Sequence, residues 1–146
     1  MAILIENRQK NIRMEEPNIR KKAQAVLDAL GKPEAELSIV LVNDPQIAEM
    51  NRQYLNRPGP TNVIAFPMQE GEYTQFAQDL LGDVVISLDT TLRESEAAAM
   101  DFQMRFDQLL VHGILHLFGY DHVTNAEDAR KMEAMSEDLV AKITNI

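Results

Sequence analysis

The stretch QLLVHGILHLFGYDH, residues 108–122, decides how the rest of the chain is read. Leu109, Leu110, Val111, Ile114, Leu115, Leu117 and Phe118 make it apolar nearly all round, the pattern of a helix buried in a core. His112 and His116 are set into it four residues apart, so they differ by about 40° around the axis and share one face. Imidazoles on a buried helix need partners, because an unpaired buried polar group costs roughly 1–3 kcal/mol. Gly119 suits the position just past a helix end, where a left-handed residue reverses the chain and brings His122 back beneath the other two. Three converging imidazoles form a platform for a transition metal, zinc first, with nickel, copper or iron also admitted. Three protein ligands leave a fourth position open, the arrangement of catalytic rather than structural zinc. The alternative is that these are core or surface histidines held by hydrogen bonds.

Working outward, residues 3–6 and 37–42 read as strands, and Ile19, Ala23, Val26, Leu27 and Leu30 recur at helical spacing across 18–30. Gly31 and Pro33 stop that helix. Asp44-Pro45 reads as a helix start with Asp44 as the cap, and Ile47, Met50 and Tyr54 are expected to face inward. RPGP, residues 57–60, breaks the chain before strands at 62–66 and 83–87, with a polar loop at 67–81 between them. Residues 90–118 read as two helices broken near 100–103. Thr124 and Glu127 match a capping box that opens a last helix to about 143, with Met132, Met135, Leu139 and Ile143 as its inner stripe. The order βαβαββααα predicts an α/β (α+β) fold, a single layer of mixed four-stranded sheet packed with helices, one of them the buried helix that carries the metal ligands. The short link between the third and fourth strands predicts an antiparallel pair.

The chain has 146 residues, with no linker or repeat, and is read as one domain over 1–146. It has no cysteine, which excludes disulfides, thiolate ligands and a cysteine nucleophile. The opening MAILIENRQK carries no leader pattern and no run approaches eighteen apolar residues, so a cytoplasmic protein without a membrane span is expected. A formal net charge of −9 argues against broad, sequence-blind nucleic-acid binding, which rests on neutralising phosphates.

The spacing of the three histidines matches the metzincin peptidase pattern H-E-x-x-H-x-x-G-x-x-H at every position but one. Gly113 stands where those peptidases carry the glutamate that acts as general base, so the metal platform is kept and the peptidase base is missing. The stretch HGILHLFGYDH, 112–122, resembles without departure the H-G-x-L-H-L-x-G-Y-D-H signature of the YbeY family of bacterial endoribonucleases, also called rRNA maturation factors. PTNVIAFP (60–67), LGDVVIS (81–87) and IAEMNRQY (47–54) are similar to further motifs of that family, in the family's order.

The resemblance implies a metal-dependent, single-strand-selective endoribonuclease with a zincin-like α/β layer. It would work in ribosomal RNA maturation at the 3′ end of the small-subunit RNA and in ribosome quality control. It carries His112, His116 and His122 over as ligands of one Zn2+, with Ni2+ as another transition metal that would fit, and implies RNA and the ribosome or ribosomal proteins as partners, with no DNA and no membrane. Many members have arginine directly after the tyrosine of L-N-x-x-Y. Here that residue is Leu55, and Arg57, two residues on, is the candidate to supply the charge, against a reading as a solvated loop arginine. Arg52 is a second cation that would stabilise developing negative charge. Asp121 is a candidate for orienting a histidine or moving a proton, against a reading as a turn residue, while Asp83 is read as structural. Lys10, Arg13, Arg20, Lys21 and Lys22 are the other basic cluster, read as a local RNA-binding exception or as a solvated face. Whether the ribose 2′-hydroxyl or a water attacks stays open. Two other functions stay open as well: a metallohydrolase of peptides, and a non-enzymatic ribosome-assembly protein with a structural metal.

Overall fold

Alternation along the chain's most apolar strand gives the sheet two different faces. The computed structural model describes residues 3–68, 80–120 and 125–146. The element order is β1 (Ile3–Asn7), α1 (Glu16–Ala29), β2 (Glu36–Val42), α2 (Asp44–Leu55), β3 (Val63–Pro67), β4 (Leu80–Ser87), α3 (Leu88–Ala97), α4 (Phe102–Leu117) and α5 (Ala126–Ile143). The sheet runs β1-β2-β4-β3, with β1, β2 and β4 parallel and β3 antiparallel on the β4 edge. This is the expected mixed four-stranded layer.

On one face Leu37, Ile39, Leu41, Val84 and Ile86 join residues of α1, α4 and α5 in the main core. On the other, Val40, Val42, Ile64 and Val85 meet Ile47 of α2 in a smaller one. Each fully buried Leu, Ile or Val contributes on the order of 1.5–3 kcal/mol, so the main core dominates and α4 lies in its middle. Strand β4 begins at Leu80, inside the expected loop; residues 69–79 lie outside the described residues. At Gly82 (φ 138°) a side chain would place its Cβ 2.0 Å from the Phe66 carbonyl oxygen, so β3 and β4 approach this closely only with glycine there. Asp83, beside it, accepts a hydrogen bond from Ser38 Oγ of β2, in keeping with a structural role.

Three local expectations are corrected. The cap of α2 is Asn43, not Asp44: Asn43 Oδ1 accepts from Gln46 N–H at 3.0 Å, and Gln46 Oε1 accepts from Asn43 N–H at 2.9 Å. Asp44, one residue in, instead accepts from Ser87 Oγ (2.7 Å), Thr90 Oγ1 (2.6 Å) and Arg93 Nη1 (2.5 Å), tying α2 to α3. Burial raises its carboxyl, but the hydrogen bonds from Thr90, Ser87 and Arg93 together outweigh burial and hold it below its ordinary value. Tyr54 does not face inward. It is 63% exposed, meeting Phe66 edge-on, because the second core ends at the last strand of the sheet. The cap of α5 is Asn125, which accepts from Asp128 N–H at 2.8 Å; Thr124 lies outside the described residues.

Lys22 is corrected too. It leaves the basic cluster for the interior, where Nζ donates to Asp107 Oδ1 and Oδ2 at 2.9 and 3.0 Å, and both side chains are almost fully buried. This pair, with Gln103 Nε2 donating to Asp107 at 3.1 Å, pins α1 to α4. Burial pushes the Asp107 carboxyl up against the opposing pull of Lys22 and Gln103.

Candidate metal centre

Helix α4 starts at Asp101, whose side chain accepts from Gln103 N–H at 3.1 Å, after a break at Ala99 (φ 52°), where the sequence predicts one. It buries Phe106, Leu109, Leu110, Val111, Ile114, Leu115 and Leu117. Gly113 is buried against the sheet: a Cβ there would lie 2.6 Å from Val84 Cγ1 and 3.3 Å from Val63 Cγ2. The helix therefore sits so close to β3 and β4 that the glutamate of the peptidase pattern has no room. The missing base is a consequence of packing as well as of chemistry.

The two described histidines are not buried, contrary to what the apolar reading of the helix implied. His112 is exposed and His116 partly buried. The physical reason is the narrowness of the open stripe. Arg105, Gln108, His112 and His116 fall within about 80° of arc at 100° per residue, and apolar residues flank that stripe on both sides, with Gln103 and Asp107 on the opposite side of the helix. The requirement that burial forces the imidazoles to pair is thus withdrawn. What replaces it is direct juxtaposition: the two rings have centroids 4.4 Å apart and planes inclined at 48°. Two imidazoles on one zinc at about 2.0–2.1 Å hold their donor nitrogens within about 4.2 Å of each other, and rings this close are compatible with that.

The end of α4 follows from Gly119, at φ 86°. Gly119 N–H donates to His116 C=O at 2.9 Å and Tyr120 N–H to Leu115 C=O at 3.0 Å, the paired bonds of a glycine-terminated helix. The reversal expected after His116 is therefore present through Tyr120. His122 and Asp121 lie outside the described residues. Among the described residues, no group of three His, Asp or Glu side chains forms a metal site.

Beside His112 a groove of about 830 Å³ runs between α4 and α5, lined among others by Asn62, Arg105, Gln108, His112 and Ser136. Its polar wall is an ordered chain. Arg105 donates to Glu94 Oε1 through Nε (3.0 Å) and Nη2 (2.8 Å), and through Nη1 to Gln108 Oε1 (2.8 Å). Asn62 Nδ2 donates to the same Glu94 carboxylate at 3.2 Å, and the Asn62 backbone carbonyl accepts from Ser87 N–H at 2.9 Å. The sequence reading missed Arg105 and Gln108, although their spacing to His112 places them on its face. Arg57 lies elsewhere. It is exposed and lines a separate recess with Arg52, Asn56 and Pro58 that includes neither described histidine. Arg52 is paired with Glu49.

Residues 4–144 match the profile of the family described as Endoribonuclease YbeY. A relative of that name from Syntrophotalea carbinolica is 49% identical over 142 residues, covering 97% of this chain and 95% of the relative. Another, from Geobacter sulfurreducens, is 45% identical over 146 residues, covering 99% of this chain and 97% of the relative. The solution structure of TM1509 from Thermotoga maritima has the same fold, with a TM-score of 0.69 at 22% identity over 97% of this chain and 88% of that one.

Proposed function

The chain belongs to the endoribonuclease YbeY family, and from that premise we propose that it is a metal-dependent endoribonuclease that cuts single-stranded RNA. The observation that carries the metal assignment is the pair of imidazoles facing each other on the open stripe of α4. In this reading His112, His116 and His122 hold one Zn2+, with Ni2+ as the alternative. With no cysteine in the chain, the donor set is imidazole and carboxylate chemistry. The ion, when bound, supplies Lewis-acid polarisation of a phosphoryl oxygen.

The chain's own residues do the rest. The Gly119 turn reverses the backbone after His116 as far as Tyr120, and His122 follows two residues on in the sequence. The exposed edge of His112 leaves the reacting face open to a strand lying along the α4–α5 groove. Arg57, exposed in a recess that contains neither described histidine, is kept as a cation that would contact a phosphate of the RNA. The biological substrate we propose is the precursor of small-subunit ribosomal RNA at its 3′ end, with ribosome quality control as the wider role. The ribosome or ribosomal proteins are the partners, and the cytoplasm is the location. Among the described residues, no helix is long and apolar enough to cross a membrane. A peptidase role is disfavoured by Gly113, whose position against Val84 leaves no space for that chemistry's base.

The test is digestion of matched single- and double-stranded RNA by purified protein, with and without chelator, beside a His116→Ala variant. Cutting confined to single strands and lost on chelation and in the variant supports the proposal. RNA left intact by metal-replete protein contradicts it.

A further inference from the structure

We propose that Tyr120, backed by Phe118, is the stacking platform for one unpaired base of the RNA strand. The inference rests on the RNA-cleavage reading and adds the part of the substrate that is recognised. The two rings are nearly parallel, inclined at 16° with centroids 6.3 Å apart. Phe118 is packed against the main core, whereas Tyr120 is 42% exposed. The inner ring is therefore anchored, and the outer ring is the solvent-exposed one among the described residues. The backbone of Tyr120 is fixed by its bond to Leu115 C=O, in the turn where Gly119 is bonded to His116 C=O, so the platform and the metal-binding helix are one rigid unit.

The charge of the chain says why such a platform is needed. With 14 Lys and Arg against 23 Asp and Glu, little affinity can come from neutralising phosphates. Arg105, the cation nearest in sequence on the histidine face, is already committed to Glu94. Stacking on an aromatic ring needs no charge, accepts any base, and is open only to bases outside a duplex. Preference for single strands follows from the platform itself.

The experiment compares steady-state cleavage of one single-stranded RNA by the wild type, Tyr120→Phe and Tyr120→Leu, using the intact RNA and versions with a single abasic position. Tyr120→Phe is expected to keep the half-saturating RNA concentration within about twofold. Tyr120→Leu raises it by about 5- to 150-fold, which is ~1–3 kcal/mol of stacking, by the same factor at low and high salt. One abasic position raises it equally in the wild type and adds nothing in Tyr120→Leu. Because the chain has no tryptophan, tyrosine emission is a second readout: RNA quenches it in the wild type and less in Tyr120→Phe, whether or not Tyr120→Leu folds. Tyr120→Leu matching the wild type, an abasic effect that persists in full in Tyr120→Leu, or quenching equal in wild type and Tyr120→Phe overturns the platform, and leaves Tyr120 as a contact for another partner such as an apolar protein segment. A wild type that leaves RNA uncut overturns the RNA-cleavage reading itself.

Discussion

Replacing Lys22 with methionine is expected to make the protein's stability strongly dependent on pH. In the native fold Lys22 and Asp107 are each 1% exposed and bonded at 2.9 and 3.0 Å. Methionine preserves most of the volume and removes the charge, leaving Asp107 with the Gln103 amide at 3.1 Å as its remaining donor. Removing one partner of a buried pair costs about 3–5 kcal/mol, because the other charge stays buried. The carboxyl can escape that cost by taking up a proton. Burial already raises it in the native protein, and loss of Lys22 raises it further. For an acid whose folded pKa lies above its unfolded one, the stabilisation is complete below the unfolded pKa and is lost as pH rises through the folded one. The variant is therefore closest to wild type near pH 4 and falls behind by about 3–5 kcal/mol at neutral pH. The double variant Lys22→Met/Asp107→Leu removes both charges and recovers to within about 1 kcal/mol of wild type or better. Urea unfolding followed by circular dichroism at both pH values measures all three. A Lys22→Met variant within about 0.5 kcal/mol of wild type at neutral pH, with no pH dependence of the difference, would refute the reasoning.

Gly113→Ala gains about 1 kcal/mol of helix propensity but drives a methyl to 2.6 Å from Val84 Cγ1, on a short branched side chain that is fully buried. Overpacking costs about 1–3 kcal/mol, so a net loss of up to about 2 kcal/mol is expected in urea unfolding, and a stabilised variant would show that α4 is not seated this closely. Asp44, held below its ordinary value by its hydrogen bonds, contributes stability that is present above the unfolded pKa near 3.9 and is lost as pH falls through the lower folded one. Asp44→Asn should cost about 1–2 kcal/mol at neutral pH and flatten this acid limb, which unfolding curves at neutral pH and at about pH 3 compare directly. If the proposed metal is bound, its removal should lower the melting temperature along with activity, since an ion bound only by the folded state stabilises it; calorimetry with and without chelator reads this.

The sheet and the five helices were legible because each carries a local signal. Strand alternation in 37–42, the helical spacing of Ile19 to Leu27, and Gly119 at the end of α4 all act over a few residues. The corrections fall where the deciding contact is distant or finely placed. Nothing near Lys22 announces Asp107, 85 residues away. The exposure of His112 was hidden because its open stripe is narrow and runs through a segment, 109–118, that is otherwise apolar. Asn43 and Gln46 form a readable capping box, but the Asp-Pro pair beside them drew the boundary one residue too far along. Tyr54 had the right helical spacing for burial, and only the sheet's edge shows that no core lies beneath it. The platform of Phe118 and Tyr120 lies inside the most informative stretch of the chain, yet its role depends on ring orientation that a sequence does not carry.

The proposed metal centre requires His112, His116 and His122 to hold one ion together. X-ray absorption at the edge of the bound metal tests it most directly, recorded on the wild type and His116→Ala. The expected result is about one ion per chain, three imidazole nitrogens at about 2.0–2.1 Å with one further light-atom ligand, and loss of that signature in His116→Ala. A wild type without stoichiometric metal, or a coordination sphere unchanged when His116 is removed, would contradict it.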